Sequence, residues 1–113
     1  MHELSIVMSI VNIAKQQALD ANASTVDEIE LDIGTLSGIE MDALEFAWKQ
    51  GIKQTILEHA TKKINRIEAK AKCLDCNAEF NIQHYYDACP VCGEHFITIL
   101  KGKELRIKSL IVS

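Results

Sequence analysis

Between residues 4 and 20, apolar side chains recur at three- and four-residue spacing. Ile6, Val7, Ile10, Val11, Ala14 and Ala18 share one side, with Lys15, Gln16 and Gln17 opposite. That period predicts an amphipathic helix with one buried stripe. The polar cluster DANAST after it predicts a loop. In DEIELDIG the pattern changes: Ile29, Leu31 and Ile33 alternate with Glu28, Glu30 and Asp32, and Gly34 closes the run. Alternation predicts a half-buried strand. Its three acids read as a solvated outer face rather than as a metal site.

Ser37 and Glu40 have the spacing of a capping box, so a second helix is expected to start there. Leu44, Ala47, Trp48 and Ile52 supply its buried stripe, and the lone Trp at such spacing reads as core. His59 falls in the polar segment that follows and reads as exposed. KINRIEAKA is a less regular strand, because Ile64 and Ile67 break strict alternation. Near the other end, Leu105, Ile107 and Ile111 alternate with Glu104, Arg106 and Lys108, a better strand. Between these two lies a block of different character, CLDCNAEFNIQHYYDACPVCGEHF. The order is helix, strand, helix, strand, insert, strand. It predicts an α+β fold: a small three-stranded mixed sheet with two helices on one face, plus a cysteine-bearing insert. The expected division is 1–71 with 97–113 as one domain and 72–96 as a second, metal-binding one.

Composition narrows the function classes. A chain of 113 residues is one domain, or one domain with a small insertion. A net charge of -4 and a pI near 5.5, with Lys and Arg interspersed among acids, give no electrostatic case for nucleic acid. No run of about 18 apolar residues exists to span a membrane. The first helix lacks a basic leader and a small-residue cleavage site, so it is not expected to be a signal peptide, and the cytoplasm is the expected location. In that reducing compartment four cysteines favour metal over disulfide.

Cys73 and Cys76 form one C-x-x-C, and Cys89 and Cys92 form another. Tetrahedral zinc needs four ligands, and two facing turns of this kind supply four thiolates. In CPVCG, Pro90 presets the backbone and Gly93 permits a left-handed residue; in CLDCN, Asn77 takes that role. Rubredoxin-like iron uses the same knuckles. A thioredoxin-type redox pair would need only one of them. His84 and His95 lie within the block and could replace a sulfur, although four thiolates already close the site. A closed site leaves no position for water, so the expected zinc is structural and implies no hydrolysis. No Ser-His-Asp set, phosphate loop or paired-carboxylate constellation points to an enzyme.

The opening MHELS places an amine, an amide, the imidazole of His2 and an oxygen of Glu3 close together in sequence. On spacing alone these are an exposed His2 and a favourable first-turn Glu3. Such a set also suits square-planar Ni(II) or Cu(II), with a deprotonated amide among the ligands. A Met before a residue as large as His is expected to be retained.

Taken together, MHELS, IGTLSGIEMDALEFAW, CLDC, CPVCG and GKELRIKSLIV resemble the hydrogenase nickel-incorporation proteins, HypA/HybF, in the same order over essentially the whole chain. The resemblance implies a nickel metallochaperone without catalysis of its own. It would deliver Ni(II) to the precursor of the [NiFe]-hydrogenase large subunit with a HypB-type GTPase, and in some bacteria serve urease maturation proteins. It also implies transient Ni(II) at Met1, His2 and Glu3, and structural Zn(II) at Cys73, Cys76, Cys89 and Cys92 in a zinc-ribbon-like insert. Two departures stand out: neither cysteine pair is directly followed by His, as it is in some relatives, and Trp48 stands where Phe is more usual.

Overall fold

The computed structural model describes residues 3–113, so two of the three expected nickel residues, Met1 and His2, lie outside the described residues. Helix α1 spans Glu3–Asp20 and buries Val7, Ile10, Val11, Ala14 and Ala18, the stripe that the spacing predicts except for Ile6, which is half-buried. It ends where Asn22 adopts a left-handed conformation, φ 55°. There Ala23 N–H donates to the Ala18 carbonyl and Asn22 N–H to that of Leu19. This paired closure satisfies carbonyls that the helix end would otherwise leave bare.

Strand β1 is Val26–Gly34 and buries Ile29, Leu31 and Ile33. Its polar face is less open than alternation predicts. Asp32 is buried at 3% exposure. The Glu30 carboxylate accepts a hydrogen bond from Asn65 Nδ2 at 2.6 Å and lies 3.5 Å from Lys108 Nζ. The Asn65 hydrogen bond, helped by the Lys108 and Lys63 charges against partial desolvation, holds Glu30 below its ordinary range. Neighbouring strands cover a central strand's outer face, which a single-strand pattern does not reveal.

Helix α2 is Met41–Gly51 and buries Leu44, Ala47 and Trp48; Ile52 follows as its C-cap and is half-buried. The expected capping box is absent. Glu40 itself is the N-cap, in extended conformation, and its side chain makes no cap hydrogen bond. The helix therefore starts after the Ser37 turn, and the Leu44 N–H to Glu40 carbonyl bond opens it. Gly51 brings α1 close to α2: a Cβ there would lie 2.8 Å from Val7 Cγ1. Lys62 closes the other side of Trp48, with its Nζ 5.2 Å from the ring centroid and 2.6 Å from Glu45 Oε2.

Strands β2 (Thr61–Ile67) and β6 (Leu105–Val112) flank β1 in a mixed sheet of order β2-β1-β6. Bonds exchanged between Thr25 and Ser113, and from Gly34 N–H to the Glu104 carbonyl, fix β6 antiparallel to β1. KINRIEAKA is not one strand. Its first half belongs to β2, and its end enters β3, Lys70–Cys73, in a second sheet. In that sheet β4 (Glu79–Asn81) and β5 (Ile97–Lys101) both pair antiparallel with β3, in the order β4-β3-β5. Strands this short carry too few residues for alternation to show.

The chain divides into two compact units. One comprises residues through Leu31, Ile39–Asn65 and Arg106–Ser113; the other comprises Asp32–Gly38 and Arg66–Leu105. The second has its own small core of Leu36, Ala69, Ala71 and Ile82, with Phe80, Ile97 and Ile99 against it. Segment 34–36 is fixed within this unit by Thr35 N–H to the Ile67 carbonyl, Leu36 N–H to that of Gly102, and Ala69 N–H to Thr35 Oγ1. Backbone approaches so closely there that a Cβ on Gly34 would fall 2.0 Å from the Gly102 oxygen. Gly102 itself has φ 115°, with Ala69 Cα 2.4 Å from where its own Cβ would be.

Candidate metal centre

The cysteine knuckles are built from the same backbone bonds. Asn77 N–H donates to the Cys73 carbonyl, as Gly93 N–H does to that of Cys89. Cys73 N–H donates to the Ala78 carbonyl, as Cys89 N–H does to that of Glu94. Both turns need a left-handed residue after the second cysteine. Asn77 (φ 63°) and Gly93 (φ 78°) provide it, as their identities predict. Sheet pairing then sets the first knuckle in place: Cys73 ends β3 opposite Ile97, and Leu74 N–H reaches the Phe96 carbonyl.

These turns bring the sulfurs of Cys73, Cys76, Cys89 and Cys92 within 4.8 Å of one another. Cys73 to Cys92 and Cys76 to Cys89 are each 3.6 Å apart, too far for a bond, and all four cysteines are free. A tetrahedral ion with metal–sulfur bonds of about 2.3 Å needs sulfur–sulfur edges of about 3.8 Å. The two 3.6 Å edges lie close to that value, and the sulfurs converge as such an ion requires.

Its electrostatics also ask for a cation. Amide hydrogen bonds, from Cys92 first and then Val91, lower the Cys89 thiol to about 7 against the cost of burial. At Cys92 the Glu94 amide favours the thiolate, yet burial and the neighbouring sulfurs push the group up to about 12. Cys76 is raised in the same way, despite an amide bond from Ala78. Four thiolates this close cannot all ionise alone; a divalent ion removes the repulsion and displaces the protons.

Among the described residues, the group able to hold a metal is these four cysteines, and neither His84 nor His95 belongs to it. His84 stacks on Tyr86 with centroids 4.9 Å apart and has Nδ1 3.6 Å from Asp87 Oδ1. His59 is exposed, as its polar segment predicts. Glu3 opens α1, and its Oε2 accepts the Glu40 N–H at 3.4 Å, a bond that no sequence spacing announces. The Tyr85 hydroxyl, which donates to the Leu36 carbonyl at 2.9 Å, was equally hidden in the sequence.

A family model described as hydrogenase/urease nickel incorporation, metallochaperone, hypA, matches residues 1–112. Similar curated proteins include the hydrogenase maturation factor HypA of Parabacteroides distasonis, 46% identical over 112 residues, covering 99% of this chain and 97% of that protein. Another is that of Geotalea uraniireducens, 43% identical over 110 residues, with 97% of each chain covered. Among solved structures, the solution structure of the Ni metallochaperone HypA from Helicobacter pylori matches with a TM-score of 0.70 at 24% identity, over 99% of this chain and 97% of that one. The likeness to that structure concerns the fold; the family assignment rests on the sequence matches. This chain belongs to the HypA family of hydrogenase nickel-incorporation metallochaperones.

Proposed function

We propose that this protein takes up Ni(II) at its N-terminus and hands it to the precursor of the [NiFe]-hydrogenase large subunit, assisted by a HypB-type GTPase, in the cytoplasm. The observation that carries this reading is the family match over residues 1–112, which includes the opening MHE. The amine of Met1, the amide and imidazole of His2 and an oxygen of Glu3 form the nickel site. Glu3 suits an auxiliary role, because its Oε2 accepts the Glu40 N–H at 3.4 Å and this bond tethers the carboxylate at the start of α1. An α-amino group with a pKa of about 7.7–8.0 gives up a proton on binding, so the site is acid-labile and suited to release. Nickel here is cargo, and no catalytic step is assigned to the chain. Zn(II) fills the four-cysteine cluster, where it would supplement the small core of Leu36, Ala69, Ala71 and Ile82.

The experiment is an N-terminal extension. Two residues added before Met1 keep every side chain but remove its free amine, and stoichiometric nickel binding should be lost with zinc content unchanged. Full nickel affinity in the extended protein would place the ligands elsewhere. It would favour the second reading, a zinc-ribbon adaptor that binds partner proteins and no second metal.

A further inference from the structure

Burial separates the four cysteines of the cluster into two kinds. Cys73 and Cys89, which open the two knuckles, are 0% and 2% exposed; Cys76 and Cys92, which close them, face solvent. The sulfur of each exposed cysteine lies 3.6 Å from that of a buried cysteine of the other knuckle: Cys92 beside Cys73, and Cys76 beside Cys89. The cluster is therefore open to small reagents at one end of each close pair and shielded at the other.

We propose that Cys76 and Cys92 are modification sites for hydroperoxides, and that the product is a crossed pair of disulfides, Cys73–Cys92 and Cys76–Cys89, with the metal expelled. The inference rests on reading the cluster as a zinc site. In the first step an exposed thiolate attacks hydrogen peroxide: a sulfur–oxygen bond forms, the oxygen–oxygen bond breaks, and hydroxide leaves to be protonated to water. The buried thiolate beside it then attacks the sulfenic sulfur. A disulfide forms, the sulfur–oxygen bond breaks, and a second hydroxide takes up a proton. Two thiolates have lost two electrons, and one peroxide has become two waters with two protons consumed. The same steps at the other pair remove the last thiolate ligands from zinc.

The pairing has a structural consequence. A disulfide within a C-x-x-C would tie each knuckle to itself and leave the two unlinked once zinc is gone. Crossed disulfides join Cys73 at the end of β3 to the second knuckle, replacing the metal as a staple. The insert then stays closed, and thiol reductant with zinc restores the starting state.

The test uses the zinc-loaded wild-type protein and hydrogen peroxide. Zinc is quantified before addition, its release is followed with a chromogenic indicator, and the product is digested unreduced with a protease cleaving before Asp. Cuts at Asp75 and Asp87 put Cys73, Cys76 and the Cys89/Cys92 pair on three peptides. The expected result is loss of the bound zinc at about two peroxides per ion, with all three peptides joined. Tandem fragmentation at Pro90 should assign Cys92 to Cys73 and Cys89 to Cys76. In a brief peroxide pulse with excess dimedone, adducts should fall on Cys76 and Cys92. Disulfides within the knuckles, the opposite crossed pairing, or adducts mainly on Cys73 and Cys89 would overturn the proposal. A protein that holds no zinc at the outset would sink the zinc reading instead, while the disulfide map would still decide the pairing.

Discussion

The two compact units of this chain are held together by different means. The first buries a continuous set of branched and aromatic side chains, including Val7, Ile10, Val11, Ile29, Leu31, Leu44 and Trp48, from two helices and a sheet. The second has a core of four buried residues, half of them small: Ala69 and Ala71 beside Leu36 and Ile82. It relies instead on backbone bonds, close glycine contacts and four convergent sulfurs. Where apolar area supplies the stability, the order of the sequence is repeated in the order of the structure. Where backbone geometry and a convergent cysteine cluster stand in for apolar area, the sequence shows cysteines and turn residues but few strands.

The sharpest way to break the comparison is to remove the metal. After strong chelation under reducing conditions, the amides of Cys73, Asn77, Cys89 and Gly93 should lose their hydrogen-exchange protection, while those in the middle of α1 and α2 keep theirs. Simultaneous loss in both units would mean that they do not differ as argued. In the first unit, Leu44→Ala should cost about 2–5 kcal/mol in denaturant unfolding, because Leu44 is 1% exposed in an apolar core. Bound zinc should stay at its wild-type level in that variant. Gly34→Ala should act through backbone rather than core volume. Its Cβ meets the Gly102 carbonyl, so a loss of roughly 1–3 kcal/mol is expected, located by hydrogen exchange in the second unit.

The smallest effect concerns pH. The Glu30 pKa is depressed in the fold, chiefly by Asn65, so its stabilisation is complete above the unfolded glutamate value and fades as pH falls through the folded one. Between neutral pH and mild acid, Glu30→Gln should flatten the fall in stability slightly. A curve identical to wild type would show that Asn65 and Lys108 contribute nothing there.

Legibility followed the same divide. Periodicity located α1, β1 and the core face of α2, because each buries one face along many residues. Alternation located β6 but not its inner face: Leu105 and Ile111 are exposed, and Ile107, Leu110 and Val112 are the half-buried positions. The second sheet escaped, since β3, β4 and β5 are short and pair through backbone that any sequence can supply. The Ser37–Glu40 spacing misled for a related reason: the chain makes a turn there before the helix begins, with Gly38 at φ 81°. Glu30 departs from the expected open face because its partners, Asn65 and Lys108, lie on other strands, which one strand's pattern does not encode; Asp32 is buried as well. The cysteine cluster was fully legible. Its four cysteines, their spacing and even its left-handed residues, Asn77 and Gly93, are written locally.

The claim on which the functional account stands is that the opening three residues hold nickel. Its direct test is a nickel titration of untagged, zinc-loaded protein beside His2→Ala, with metal content fixed by elemental analysis. The account predicts one Ni(II) per chain for the wild type and none for the variant, with zinc and helix content equal in the two. Equal nickel uptake by both, or by neither, would contradict it.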